Sequence, residues 1–145
     1  MTTHSFVAAV LAMAIAGCSG ASPESVGFGA AQLMAAPLVT VTSQSGQLTV
    51  AVRTSPQPPA RGTNAVLLTI TGATDGVARD GLEIDVKPWM PAMGHGTSIV
   101  PTVVPQTNGT YLITNVDLYM AGLWQLRLTI SGSTEDNASP AFEIQ

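Results

Sequence analysis

Leu82-Glu83-Ile84-Asp85-Val86-Lys87 decides the fold. Leu82, Ile84 and Val86 alternate strictly with Glu83, Asp85 and Lys87, so the side chains divide into an apolar and a charged face. A period of two belongs to a strand with one face buried and the other in water. Pro88 follows and is expected to end the run, because proline brings no N–H to a ladder.

The same pattern repeats on both sides. Gln47 to Thr54 puts Leu48, Val50 and Val52 on one face, Asn64 to Thr71 does so with Val66, Leu68 and Ile70, and Trp124 to Ile130 with Trp124, Leu126, Leu128 and Ile130. Leu38 to Thr42, Ile99 to Val104 (interrupted by Pro101), Thr110 to Val116 and Ala141 to Ile144 read as shorter strands. Turn chemistry separates them: the proline run Ser55 to Gly62, Thr74-Asp75-Gly76, Arg79-Asp80-Gly81, the hairpin pair Asn108-Gly109, and a loop from Asp117 to Gly122. No long helix and no internal repeat interrupts the series. The expectation is an all-β domain over residues 38–145. Its architecture is an immunoglobulin-like antiparallel β-sandwich of seven to eight strands, without the Cys…Trp…Cys spacing of antibody domains.

Residues 1–37 read differently. Phe6 to Ala16 is an apolar run of eleven residues. That is shorter than the roughly 20 needed to span a bilayer, and fits the apolar core of a signal peptide. Ile15-Ala16-Gly17-Cys18 follows and resembles the lipobox of bacterial lipoproteins, although Met1-Thr2-Thr3-His4-Ser5 carries no Lys or Arg. That resemblance implies a lipoprotein signal peptide over 1–17 and lipidation of Cys18, the only cysteine. It also implies a lipid bilayer as partner. The expected place is the cell envelope, lipid-anchored and facing the periplasm, with the outer membrane favoured in a Gram-negative cell because serine rather than aspartate follows the cysteine. Residues 18–37, rich in Gly, Ala and Ser, read as a flexible tether.

Charge narrows the function. The chain of 145 residues carries a formal net charge of −4, with 10% charged residues. Its five Lys and Arg are scattered, so it lacks the basic face a nucleic-acid partner requires. No G-x-S-x-G elbow, P-loop or H-E-x-x-H is present, and a binding role is expected rather than an enzyme.

One segment carries chemistry: Trp89-Met90-Pro91-Ala92-Met93-Gly94-His95-Gly96. It gathers two thioethers and an imidazole in a turn shaped by proline and glycine. Beyond the signal, His95 is the lone histidine. Thioether is a soft ligand and imidazole a borderline one, a pairing suited to Cu(I) and unsuited to Mg²⁺ or Ca²⁺. Met120 lies in a second glycine turn, Tyr119-Met120-Ala121-Gly122-Leu123-Trp124. If the two loops share an end of the sandwich, Met90, Met93, His95 and Met120 form a candidate metal site for a copper ion. The competing reading is packing: methionine beside tryptophan is often core filler, and His95 between two glycines can simply cap a turn. Trp89 and Trp124 read as core aromatics, with Trp89 alternatively laying its ring over a bound cation.

The Met-Pro-x-Met-x-His turn, a proline at Pro101 or Pro105, Gly109-Thr110-Tyr111 and the later Met-x-Gly-x-Trp together resemble the YtkA-like domain, over about Leu38 to Gln145. Ala121 stands where many relatives have proline. The family groups small exported or membrane-anchored bacterial β-domains and is similar to FixH proteins. Those are associated with building copper-containing respiratory oxidases, and related domains accompany metal-efflux systems. The resemblance implies a copper-binding or copper-handling module with a copper-protein or efflux partner. The alternative is a metal-free interaction module docking on an oxidase-assembly or efflux partner.

Overall fold

The computed structural model describes residues 35–145. The expected signal peptide, Cys18 and nearly all of the expected tether lie outside these residues. Among the described residues there is no helix. They contain ten strands: β1 (Val39–Thr42), β2 (Leu48–Ser55), β3 (Gly62–Gly72), β4 (Glu83–Met90), β5 (His95–Gly96), β6 (Thr102–Pro105), β7 (Thr110–Leu118), β8 (Gly122–Ser131), β9 (Asp136–Ala138) and β10 (Ala141–Ile144). One sheet runs in the order β1-β2-β3-β7-β6 and the other β10-β8-β4-β5, with β9 also on β8. Every pairing between strands is antiparallel. The result is a two-sheet β-sandwich, as the alternation requires.

The inner faces are the ones the period-two pattern assigns. Leu48, Val50 and Val52 of β2 meet Val66, Leu68 and Ile70 of β3. Across the sandwich stand Trp124, Leu126, Leu128 and Ile130 of β8. Each such side chain contributes roughly 1.5–3 kcal/mol by leaving water. The outer face of β4 keeps Glu83, Asp85 and Lys87 exposed. In β7 the alternation slips: Tyr111 and Ile113 point inward, and so do Val116 and Leu118. A bulge opposite Asn64–Val66 absorbs the extra residue. Asn115 takes a φ of 59°, in the left-handed region that asparagine tolerates better than most residues.

Eight of the ten strands correspond to runs expected from the alternation. The count of seven to eight falls short because β5 has two residues and β9 three, too few to display a period. Three boundaries also move. Pro88 does not end β4, which continues to Met90. A Cβ on Gly96 of β5 would collide with the Pro88 carbonyl oxygen, so that carbonyl points toward β5 and away from β8. In an antiparallel strand the N and O of one residue face the same side, so the proline nitrogen costs no bond to β8. Ile99 and Val100 lie outside β6, which begins at Thr102. The Asp117–Gly122 loop shrinks to Tyr119–Ala121, because β7 runs to Leu118 and β8 starts at Gly122.

Polar side chains fasten the crossings between sheets. The β3–β4 connection is held by Tyr111, whose hydroxyl donates to the Arg79 carbonyl at 2.6 Å and accepts from the Leu82 N–H at 3.0 Å. Asp80 accepts from the Gly109 N–H at 2.7 Å, which gives this turn carboxylate a structural role. Elsewhere Asp136 of β9 reaches the β1–β2 turn. It accepts from the Ser45 hydroxyl, from the Ser45 N–H at 3.0 Å and from the Asn137 N–H at 2.8 Å.

Burial pushes the Asp136 carboxyl upward, but hydrogen bonds from Ser43, Ser45 and Asn137 outweigh it and hold the group at about 2. A depressed carboxylate stabilises the fold above its unfolded value of 3.8 and ceases to do so as pH falls through about 2. Denaturant midpoints are therefore expected to hold from neutral pH to about pH 4 and to drop below it, with Asp136→Asn flattening that drop. The contribution is on the order of 1–2 kcal/mol.

Candidate functional site

The Met/His segment forms a hairpin. Met90 ends β4 and pairs directly with His95 of β5, while Trp89 pairs with Gly96. Pro91-Ala92-Met93-Gly94 makes the turn. The N–H groups of Met93 and Gly94 both donate to the Met90 carbonyl, at 3.2 and 3.0 Å. Gly94 has a φ of 68°, a conformation in which a Cβ is strained. Directly opposed residues of an antiparallel pair share a face, so Met90 and His95 project to the same side of their sheet.

The second methionine turn lies beside this hairpin. β7 and β8 are joined by Tyr119-Met120-Ala121, and the Trp124 indole N–H donates to the Met120 carbonyl at 2.9 Å. The Met90 methyl lies 2.8 Å from where a Cβ on Gly122 would sit, so the absence of a side chain there makes room for Met90. Both loops therefore share one end of the sandwich, the condition on which a joint site depended.

The four candidate residues do not stand alike. Met90 is 4% exposed and belongs to the core cluster. A thioether so enclosed offers nothing to an ion arriving from solvent. Met120 is partly buried and packs against the same cluster. Met93, at the turn, is 53% exposed. His95 is half-buried. Cys18, the candidate lipidation residue, lies outside the described residues.

The imidazole is held on one side. His95 Nδ1 lies 3.0 Å from the Tyr119 hydroxyl and 3.2 Å from the Gly96 carbonyl oxygen. The Tyr119 hydroxyl also reaches the Gly96 carbonyl at 3.4 Å. The two rings run nearly parallel, 11° apart with centroids at 6.3 Å, and Tyr119 in turn meets Trp124 edge-on at 5.6 Å. Among the described residues, Nε2 makes no hydrogen bond. Tyr119 is the neighbour of His95 that sequence reasoning passed over. No spacing rule ties it to His95, 24 residues earlier, and only the meeting of the two turns does so.

Trp124 is fully buried, as its alternation implies. Trp89 is not a core aromatic. It lies half-buried on the outer face of β4, with the Arg127 guanidinium 4.3 Å from its ring centroid. That face of the ring is already occupied by a cation–π contact. Among the described residues, no three His, Cys, Asp or Glu side chains gather where they could hold a metal ion. The donors at this end are thioethers and one imidazole, soft and borderline ligands of the kind unsuited to Mg²⁺ or Ca²⁺.

The chain matches the family model described as YtkA-like over residues 42–129, more than half its length. No curated protein and no solved structure matches it. The matched span contains the whole β4–β5 hairpin and the turn that follows β7. The chain belongs to the YtkA-like family.

Proposed function

We propose that this protein is a copper-handling module of the cell envelope, anchored through an acylated Cys18 and presenting Met93 and His95 to Cu(I), with Met120 beside them. Met90 then acts from beneath, as the packed post under the hairpin. The observation that supports this reading is an exposed thioether at the turn of the same hairpin as an imidazole whose Nδ1 is engaged and whose Nε2 makes no hydrogen bond. Thioether ligation needs no deprotonation, and imidazole ligation needs the neutral ring. One or two thioethers and an imidazole near one end of the sandwich suit uptake and release of a cargo ion. The module would pass that ion to or from a copper protein or an efflux partner.

Titrating the chain carrying Cys18→Ser with Cu(I), in competition with a colorimetric chelator, tests the proposal. About one ion per chain is expected, and Met93→Leu combined with His95→Ala is expected to abolish binding. Undiminished affinity in that double variant refutes it. A second reading, docking without metal, draws on the exposed apolar side chains Met93, Tyr119 and Leu123. Failure to compete with the chelator, together with a partner recovered by pull-down, selects that reading.

A further inference from the structure

Three polar atoms meet at the foot of the β4–β5 hairpin: His95 Nδ1, the Tyr119 hydroxyl and the Gly96 carbonyl oxygen, separated by 3.0, 3.2 and 3.4 Å. A carbonyl oxygen only accepts. A neutral imidazole carries its proton on one nitrogen and a lone pair on the other. If Nδ1 holds the lone pair, the Tyr119 hydroxyl can donate to it, but Nδ1 and the Gly96 oxygen then face each other as two acceptors. If Nδ1 holds the proton, all three contacts become bonding. Nδ1–H donates to the Gly96 carbonyl and to the Tyr119 oxygen, and the Tyr119 O–H donates to the same carbonyl. One arrangement satisfies three contacts and the other only one.

We infer that Tyr119 and the Gly96 carbonyl hold His95 in the Nδ1–H tautomer, which makes Nε2 the ligating atom and Tyr119 the positioning residue of the site. The inference deepens the copper reading and, for the role of Nε2, rests on it. The supporting geometry is the nearly parallel Tyr119 ring and its edge-on contact with buried Trp124, which sets the orientation of a ring that is otherwise 42% exposed. Gly96 is equally constrained, since a Cβ there would meet the Pro88 carbonyl oxygen and, at 3.5 Å, the Trp89 ring. A ligating histidine commonly has its second nitrogen anchored in this way, and loss of such a partner weakens metal binding about 10–100-fold.

The test reads the tautomer and the affinity separately. In the full chain carrying Cys18→Ser, ¹⁵N correlation spectra of the neutral His95 ring, assigned with His95→Ala, are expected to show Nδ1 protonated and Nε2 bare. Tyr119→Phe keeps the ring against Trp124 and removes only the hydroxyl. It is expected to shift the ring toward the Nε2–H form and to weaken Cu(I) binding about tenfold, with the denaturant midpoint nearly unchanged. An Nε2–H tautomer in the parent chain overturns the inference. So does a Tyr119→Phe variant in which neither the tautomer nor the affinity moves. If the parent chain binds no Cu(I), the copper reading fails, while the tautomer spectrum still decides whether Tyr119 sets the ring.

Discussion

Trp124→Ala is expected to cost about 3–5 kcal/mol, a large part of the 5–15 kcal/mol that holds a domain of this size together. Trp124 is fully buried on the inner face of β8. Its removal leaves a cavity between two sheets whose strands are pinned by their ladders, so little collapse can fill it. Two further contacts go with the ring: the indole N–H to the Met120 carbonyl and the edge-on packing against Tyr119. Chemical denaturation of the variant should show a much lower midpoint. Any folded fraction should have a loosened β7–β8 turn, visible as faster amide exchange at Tyr119–Gly122. A Trp124→Ala unfolding free energy within about 1 kcal/mol of the parent would show that this end of the sandwich is not packed as described.

Gly96→Val is expected to damage the site far more than the fold. Any Cβ at position 96 collides with the Pro88 backbone carbonyl, which cannot swing aside without breaking β4. Relief comes from lifting β5, and β5 contributes only the two pairs Trp89↔Gly96 and Met90↔His95. The unfolding free energy should therefore fall by about 1–2 kcal/mol, as for an ordinary overpacked site. The His95 ring, however, is carried away from Tyr119 and from the Met93 turn. Cu(I) affinity is expected to drop by up to about 100-fold, the effect of losing the anchor of a ligating histidine. Retention of parent-level binding by a folded Gly96→Val chain would place the ion elsewhere. Contrast with Trp124→Ala separates the two roles, since one variant unfolds what holds the hairpin and the other displaces the hairpin alone.

Much of this architecture was legible in local pattern. Leu48/Val50/Val52 and Trp124/Leu126/Leu128/Ile130 declare their inner faces because a strand alternates at every residue, a property set by the backbone itself. The Met93–His95 turn was legible as chemistry because soft and borderline donors are recognisable by residue type alone. The fate of Met90 was not. It ends β4, and whether a terminal side chain turns into the core or outward depends on the register with β8 and β5 and on the vacancy at Gly122. Trp89 misled for the same reason. Adjacent to Met90, it falls on the opposite face, where Arg127 covers it.

β5 and β9 were invisible because two or three residues cannot display a period; their pairing is imposed by the long strands β4 and β8 alongside them. Tyr119 was equally hidden, because its meeting with His95 brings together two turns 24 residues apart, the β4–β5 turn and the β7–β8 connection.

The amino-acid sequence by itself determined an all-β sandwich and a thioether–imidazole turn, since alternation and ligand softness are properties of neighbouring residues and their side-chain chemistry. Tertiary structure alone decided which donors remain open to solvent and which nitrogen of His95 is engaged. Those outcomes depend on register between strands and on close packing at one end of the sandwich, where a single glycine makes room for Met90 and a tyrosine from the β7–β8 connection reaches the imidazole.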